Sequence, residues 1–159
     1  MKKLGKKATL YLMVAMSKSP WQTQKIAFDL VKKIINGGML RNAQVIALEG
    51  ELGAGKTTFV KGFARALGIK SHITSPTFVL MKRYSISQPK TYLYHIDAYR
   101  IKNYRDLISL GIKEIIVSPA NIVLIEWSDR VKPILPKKYI KIHIDHIDSK
   151  TRKISIQNK

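Results

Sequence analysis

The chain contains no cysteine, which excludes a disulfide scaffold, thiolate metal ligands and a cysteine nucleophile. Acidic residues are scarce: ten Asp and Glu stand against 29 Lys and Arg, a formal charge of +19 over 159 residues. No apolar run approaches the ~20 residues that span a bilayer. The nine-residue stretch Ala8–Met16, behind Lys2 and Lys3, has the outline of a signal peptide but no small-x-small cleavage site. It reads as a buried strand. A reducing, cytoplasmic setting without membrane association is the expectation.

So large a positive charge invites a nucleic-acid partner, but its location weakens that inference. Residues 1–20 hold five lysines and no acid, and residues 132–159 hold eight basic against two acidic residues. Basic ends of this kind read as solvated surface. With 45% hydrophobic residues, the length suits one ordinary core. A single domain over 1–159 is expected, with a basic first strand at 1–16 and a basic hairpin at 132–159.

Ser19 and Pro20 open a helix as N-cap and first turn, and Ile26, Ala27, Leu30, Val31, Ile34 and Ile35 follow at helical spacing up to Gly37-Gly38. Val45–Leu48 is a continuous apolar run suited to a strand buried on both faces. A second helix starts at Lys56, with Phe59, Val60, Phe63, Ala64 and Leu67 on one side and Gly68 at its end. Strand-like runs follow at His72–Thr74, Thr77–Tyr84, Tyr92–Ile96 and Ile122–Ile125, with a helical pattern between Tyr104 and Ile116 broken at Gly111. Tyr139–His146 and Arg152–Ile156 alternate around Asp148-Ser-Lys150, the chemistry of a hairpin. The order of elements predicts a three-layer α/β fold with a mixed central sheet.

Gly50-Glu-Leu-Gly-Ala-Gly-Lys56-Thr57 satisfies G-x-x-x-x-G-K-T and lies between a buried strand and a helix start, where a phosphate-binding loop must lie. Glycines at 50, 53 and 55 let backbone N–H groups turn inward around phosphate oxygens, and the helix N-terminus adds its positive dipole end. Lys56 is expected to reach the β- and γ-phosphates, and Thr57 to place its hydroxyl on Mg²⁺. Such a site also needs a carboxylate at a strand end. Ile122-Val-Leu-Ile-Glu126 and Tyr92-Leu-Tyr-His-Ile-Asp97 both supply one. Either acid could bind Mg²⁺ or orient the attacking water. His72, His95, His143 and His146 form no convincing metal site, since His143 and His146 would point to opposite faces of a strand.

Four motifs in this order, Leu48–Phe59, Ser75-Pro-Thr-Phe78, His95-Ile-Asp-Ala-Tyr-Arg100 and Ile125-Glu-Trp127, resemble the bacterial TsaE family of tRNA threonylcarbamoyladenosine biosynthesis. The resemblance covers about residues 17–157. It implies a P-loop NTPase-like fold and a Mg²⁺-dependent ATPase that assists a TsaB–TsaD heterodimer in modifying adenosine 37 of tRNAs reading ANN codons. The ATPase does not itself transfer the threonylcarbamoyl group. By position, the resemblance puts ATP on Glu51, Leu52, Gly53, Ala54, Gly55, Lys56, Thr57 and Thr58, with Thr77 and Trp127 beside it. It gives Lys56, Asp97 and Glu126 catalytic parts, with Thr57 and Glu126 as the preferred metal pair. Ser75–Phe78 resembles a switch facing the γ-phosphate, and tRNA would be reached through the partner proteins, with no DNA contact. Glu51, Ala98 and Ser128 depart from the commoner family residues, and the basic ends depart more.

Plainer readings stay open at several of these positions. Ser75 and Thr77 could be turn residues that satisfy their own backbone, Trp127 could be core packing, and Tyr99 and Arg100 could be surface residues. A small nucleotide or sugar kinase, or a basic RNA-binding module with a nucleotide-sensing loop, are the rival functions.

Overall fold

Val45–Leu48 and Val123–Ile125 offer no polar side to water, and they form neighbouring parallel strands fully buried at the centre of one sheet. The computed structural model describes residues 12–36, 42–86 and 90–159. Along these, the elements are β1 (Leu12–Ser17), α1 (Pro20–Asn36), β2 (Gln44–Glu49), α2 (Lys56–Ala66), β3 (Met81–Ser85), β4 (Tyr92–Asp97), α3 (Arg105–Ser109), α4 (Ile112–Val117), β5 (Asn121–Glu126), β6 (Ile140–His146) and β7 (Arg152–Asn158). The strands make one seven-stranded sheet in the order β1-β7-β6-β2-β5-β4-β3. Strands β6, β2, β5 and β4 run parallel, while β1, β7 and β3 pair antiparallel at the two sides. The sheet is therefore mixed, and β6–β7 is the expected C-terminal hairpin.

Alternation along the strands divides the core into two layers. Ile46, Leu48, Leu93, Leu124, Ile142 and Ile144 pack on one face with Ala27 and Val31 of α1 and Phe59, Val60 and Phe63 of α2. Val45, Ile96, Val123 and Ile125 pack on the other face with Leu107 of α3, Ile112 and Ile116 of α4, and Val131. Helix α1 begins as its sequence signals require, with Ser19 Oγ accepting the Gln22 N–H at 3.2 Å. Helix α2 ends at Gly68 in the left-handed region (φ 75°). Gly111 (φ 80°) separates α3 from α4 as a single left-handed residue.

Three expectations are corrected, and one further segment is new. The first strand is an edge strand rather than a buried one: Met13 packs towards the α1 layer, whereas Val14 and Met16, on the opposite face, are about half exposed (53% and 51%). No strand forms at His72–Thr74. The run Thr77–Tyr84 is a strand only from Met81, because residues 77–80 form a turn that ends with Leu80 at φ 61°. A segment of short 3-10 turns, Ser128–Ile134, broken at Val131 (φ −129°), follows β5 without having been expected. Residues 1–11 of the basic N-terminus and the Gly37-Gly38 helix stop lie outside the described residues. No helix among the described residues is long and apolar enough to cross a membrane.

Candidate functional site

The loop between β2 and α2 crosses the C-terminal ends of the parallel strands, the side on which α/β sheets bind ligands. Its glycines serve two different needs. Gly53 (φ 76°) and Gly55 (φ 101°) hold left-handed backbone with open space where a Cβ would stand, so they are there for the path of the chain. Gly50 (φ 142°) has a packing reason as well: a Cβ there would meet the carbonyl oxygen of Ile144 in β6 at 2.5 Å. This contact corrects the reading of Gly50 as a phosphate-facing residue only.

Lys56, the first residue of α2, is only 5% exposed. Its Nζ donates to the carbonyl oxygens of Gly50 and Glu51, both at 2.7 Å, and lies 3.8 Å from the centre of the Trp127 ring. Burial pulls the ammonium below its ordinary value of 10.5, while the carboxylates of Glu126, Asp97 and Asp129 act to hold it up. The net effect is a desolvated cation at the centre of the loop, held by neutral carbonyls that an anion would outcompete.

The two strand-end acids stand side by side, since Asp97 of β4 and Glu126 of β5 are register partners. Both are buried. Thr57 Oγ1 lies 3.1 Å from Glu126 Oε2 and 3.3 Å from Oε1, and His95 Nε2 lies 2.7 Å from Oε1. Asp97 has other partners: its Oδ2 accepts the hydroxyls of Ser75 and Thr77, each at 2.6 Å, and its Oδ1 accepts the Tyr99 N–H at 2.9 Å. The Ser75–Phe78 segment is thus tied to a strand end by a carboxylate and is more than a self-satisfied turn. Phe78 beyond it is 83% exposed, with the Arg100 guanidinium 4.5 Å from its ring centre.

Trp127 follows Glu126 in a left-handed conformation (φ 57°), which is strained for a bulky side chain. Contacts hold it there: Tyr99 packs on it at 5.0 Å between ring centres, Arg130 lies 5.3 Å from its ring, and Lys56 covers it. It is half-buried, partly core and partly wall. A cleft of about 310 Å³ is lined by Lys56, Thr57, Thr77, Asp97, Glu126 and Trp127, together with Leu52, Gly53, Gly55, Thr58 and Tyr99. A second cleft of about 370 Å³ opens from the other side of the same loop. Gly53, Ala54, Gly55 and Thr58 face it from the loop, Lys18, Ser19 and Thr23 from the start of α1, and Lys150 and Arg152 from the β6–β7 hairpin.

Of the residues to which the sequence gives ATP, metal or catalysis, all but Glu51 line one of these clefts, and Glu51 contributes a carbonyl that receives Lys56; of the Ser75–Phe78 segment only Thr77 reaches a cleft. His95 was missed as a part of the site. The available signal was its place two residues before Asp97, on the same face of β4. The donor set, a threonine hydroxyl beside two carboxylates, is hard oxygen and suits Mg²⁺ rather than a thiolate- or imidazole-seeking metal. Among the described residues no group of three or more His, Asp or Glu could hold a metal by protein ligands alone.

The family model described as "Threonylcarbamoyl adenosine biosynthesis protein TsaE" matches residues 17–154. The curated "tRNA threonylcarbamoyladenosine biosynthesis protein TsaE" of Treponema pallidum is 38% identical over 120 residues, covering 76% of this chain and 86% of that protein. The protein of the same name from Nostoc is 40% identical over 126 residues, covering 77% and 75%. That from Bacillus subtilis is 33% identical over 140 residues, covering 88% and 85%. The crystal structure of Bacillus subtilis YdiB superposes with a TM-score of 0.73 at 29% identity, over 95% of this chain and 88% of that one. A mixed seven-stranded sheet, a phosphate loop at the ends of its parallel strands, and a family match across most of the length lead to one conclusion: the chain belongs to the TsaE family, with its P-loop fold and its role in threonylcarbamoyladenosine biosynthesis.

Proposed function

We propose that the chain binds ATP with Mg²⁺ and hydrolyses it, as an accessory ATPase to a TsaB–TsaD heterodimer that forms threonylcarbamoyladenosine at position 37 of tRNAs reading ANN codons. The observation that carries this reading is the convergence of the buried Lys56 ammonium, the Thr57 hydroxyl and the paired carboxylates of Asp97 and Glu126 on one cleft at the phosphate loop.

Within that reading the residues divide the work. Lys56 gives up the carbonyls of Gly50 and Glu51 for the β- and γ-phosphates, exchanging neutral acceptors for anions. Thr57 and Glu126 would hold Mg²⁺, which would neutralise charge on the phosphate oxygens. Asp97 keeps Ser75 and Thr77 at the γ-phosphate end of the cleft. Water attacks the γ-phosphorus, the bond to the bridging oxygen breaks, the attacking water's proton passes to the phosphate oxygens or to solvent, and ADP and phosphate leave. Positioning and fixed charge supply most of the catalysis in such a reaction. The second cleft, floored by Gly53–Gly55 and rimmed by Lys18, Lys150 and Arg152, suits the ribose and base, and it gives part of the basic hairpin a use.

Binding is testable through Trp127, because displacement of Lys56 from its ring changes the indole surroundings. Addition of ATP and Mg²⁺ is expected to alter tryptophan emission in wild type and in Trp21→Phe, and not in Trp127→Phe. Co-purification with a TsaB–TsaD heterodimer is expected with ATP and Mg²⁺ and is expected to be lost in EDTA. Absence of any nucleotide response would overturn the binding assignment, and nucleotide-independent capture would overturn the gated assembly.

A further inference from the structure

One buried polar side chain beside the cleft is left without a task by this mechanism. His95 is fully buried in β4, and its Nε2 lies 2.7 Å from Glu126 Oε1 on the neighbouring strand. Its other nitrogen, Nδ1, is also buried and has no hydrogen-bond partner among the described residues. A carboxylate oxygen accepts this contact, so its hydrogen lies on Nε2. Leaving Nδ1 unsatisfied inside a core is unfavourable. A role in packing alone would be filled without that defect by leucine or phenylalanine. The ring's compensating contribution is its Nε2–H, delivered to Glu126.

The geometry gives that N–H a consequence. His95, Asp97 and Glu126 share the face of the sheet on which α2 lies, and Thr57 sits in the first turn of α2. Glu126 Oε1 lies 2.7 Å from His95 Nε2, and the same carboxylate reaches Thr57 Oγ1 with Oε2 at 3.1 Å and Oε1 at 3.3 Å, so one carboxyl group joins the histidine to the threonine. We propose that His95 is a positioning residue, whose Nε2–H fixes the rotamer of Glu126 so that Thr57 and Glu126 present a preformed pair of oxygens to the Mg²⁺ of the nucleotide. The inference rests on the reading of Thr57 and Glu126 as the metal pair. Hydrogen-bond partners that stand behind a metal ligand set its orientation, and their loss typically weakens metal affinity about 10- to 100-fold.

The test uses His95→Phe and His95→Leu, which fill the site without a donor, and His95→Gln, which restores an N–H at a similar reach. ATP binding in EDTA, read by tryptophan emission, is expected to stay within about twofold of wild type, because Lys56 and the loop amides are untouched. The Mg²⁺ concentration that half-saturates the nucleotide complex is expected to rise about 10- to 100-fold in the Phe and Leu variants and to recover in the Gln variant. A folded Phe or Leu variant with the wild-type Mg²⁺ midpoint, or a Gln variant no better than Phe, overturns the positioning role while the ATP assignment stands. A wild-type protein with no Mg²⁺-dependent nucleotide response overturns the metal-pair reading, and this inference with it. Should the apolar variants fail to fold, ring ¹⁵N spectra of the wild type decide. A protonated Nε2 whose resonance moves on adding Mg²⁺ and ATP supports the role, and an Nε2 without a proton or an unmoved resonance overturns it.

Discussion

Gly62→Ala offers a test of how the phosphate-loop helix is seated, because two ordinary effects predict opposite signs. Gly62 lies inside α2, where alanine is favoured over glycine by about 1 kcal/mol from helix propensity alone. A Cβ at this position would however stand 2.3 Å from the carbonyl oxygen of Gln24, 2.5 Å from its Cα and 2.7 Å from its carbonyl carbon. Ordinary contact begins near 3.4 Å, so α1 and α2 would have to part by about 1 Å. All three obstacles are backbone atoms, so no rotamer change relieves them and truncating Gln24 does not help. Overpacking of a tight core costs about 1–3 kcal/mol, and an obstacle of backbone belongs at the upper end. Net destabilisation is then about 2 kcal/mol, or about 4–8 °C in the melting temperature of a domain this size. Parting the helices also loosens the packing of Phe59 and Phe63 on Ala27 and Val31 and tilts the helix that carries Lys56 and Thr57. Circular-dichroism melts of the variant with and without ATP and Mg²⁺ measure both effects. A melting temperature equal to or above wild type would refute the close approach.

The remaining predictions concern the cleft. Burial holds Lys56 below its ordinary value of 10.5, so ATP affinity should fall as alkaline pH passes through that lowered value, by at most about one log unit per pH unit for a single proton. Calorimetry from neutral to alkaline pH should show this in wild type and not in Lys56→Arg, whose guanidinium stays charged. For folding the sign is the reverse: the buried ammonium weakens the fold below that pH, and stability rises as the charge is lost. Asp97→Asn removes the charge that holds two hydroxyls; with about 2 kcal/mol lost locally, amide exchange across residues 75–78 should speed about thirtyfold while the exchange of β2 and β5 is unchanged. Uniform acceleration, or none, would show that Asp97 does not hold this segment.

How much of this could be read from the sequence depends on what makes each feature. The phosphate loop and the two strand-end acids were legible because each is local: a glycine spacing, or an apolar run that stops at a carboxylate. Their adjacency, Asp97 opposite Glu126, needed the strand register. Thr77–Leu80 looks like a strand by hydrophobicity and is not one, because Thr77 and Ser75 are drawn to Asp97 and Leu80 takes a left-handed turn. Ala8–Met16 looked buried because a continuous apolar run cannot tell which side of a sheet lacks a covering layer. Ser128–Ile134 carries no helical period and has Pro133 inside it, so pattern reading passed over it. His95 was read as part of a motif and weighed as a metal ligand, with no role toward Glu126. Its partner is 31 residues away in sequence and adjacent only in the folded sheet.

The central claim is that this site binds and hydrolyses ATP through Lys56 and the oxygens beside it. Phosphate release from ATP by the purified wild-type chain and by Lys56→Ala, each with Mg²⁺ and with EDTA, tests it most directly. The Lys56→Ala protein must first match the wild-type circular-dichroism spectrum, since it also loses two hydrogen bonds to the loop carbonyls. The account predicts Mg²⁺-dependent release by the wild type, abolished by EDTA and by Lys56→Ala. Release by folded Lys56→Ala at the wild-type rate would contradict it.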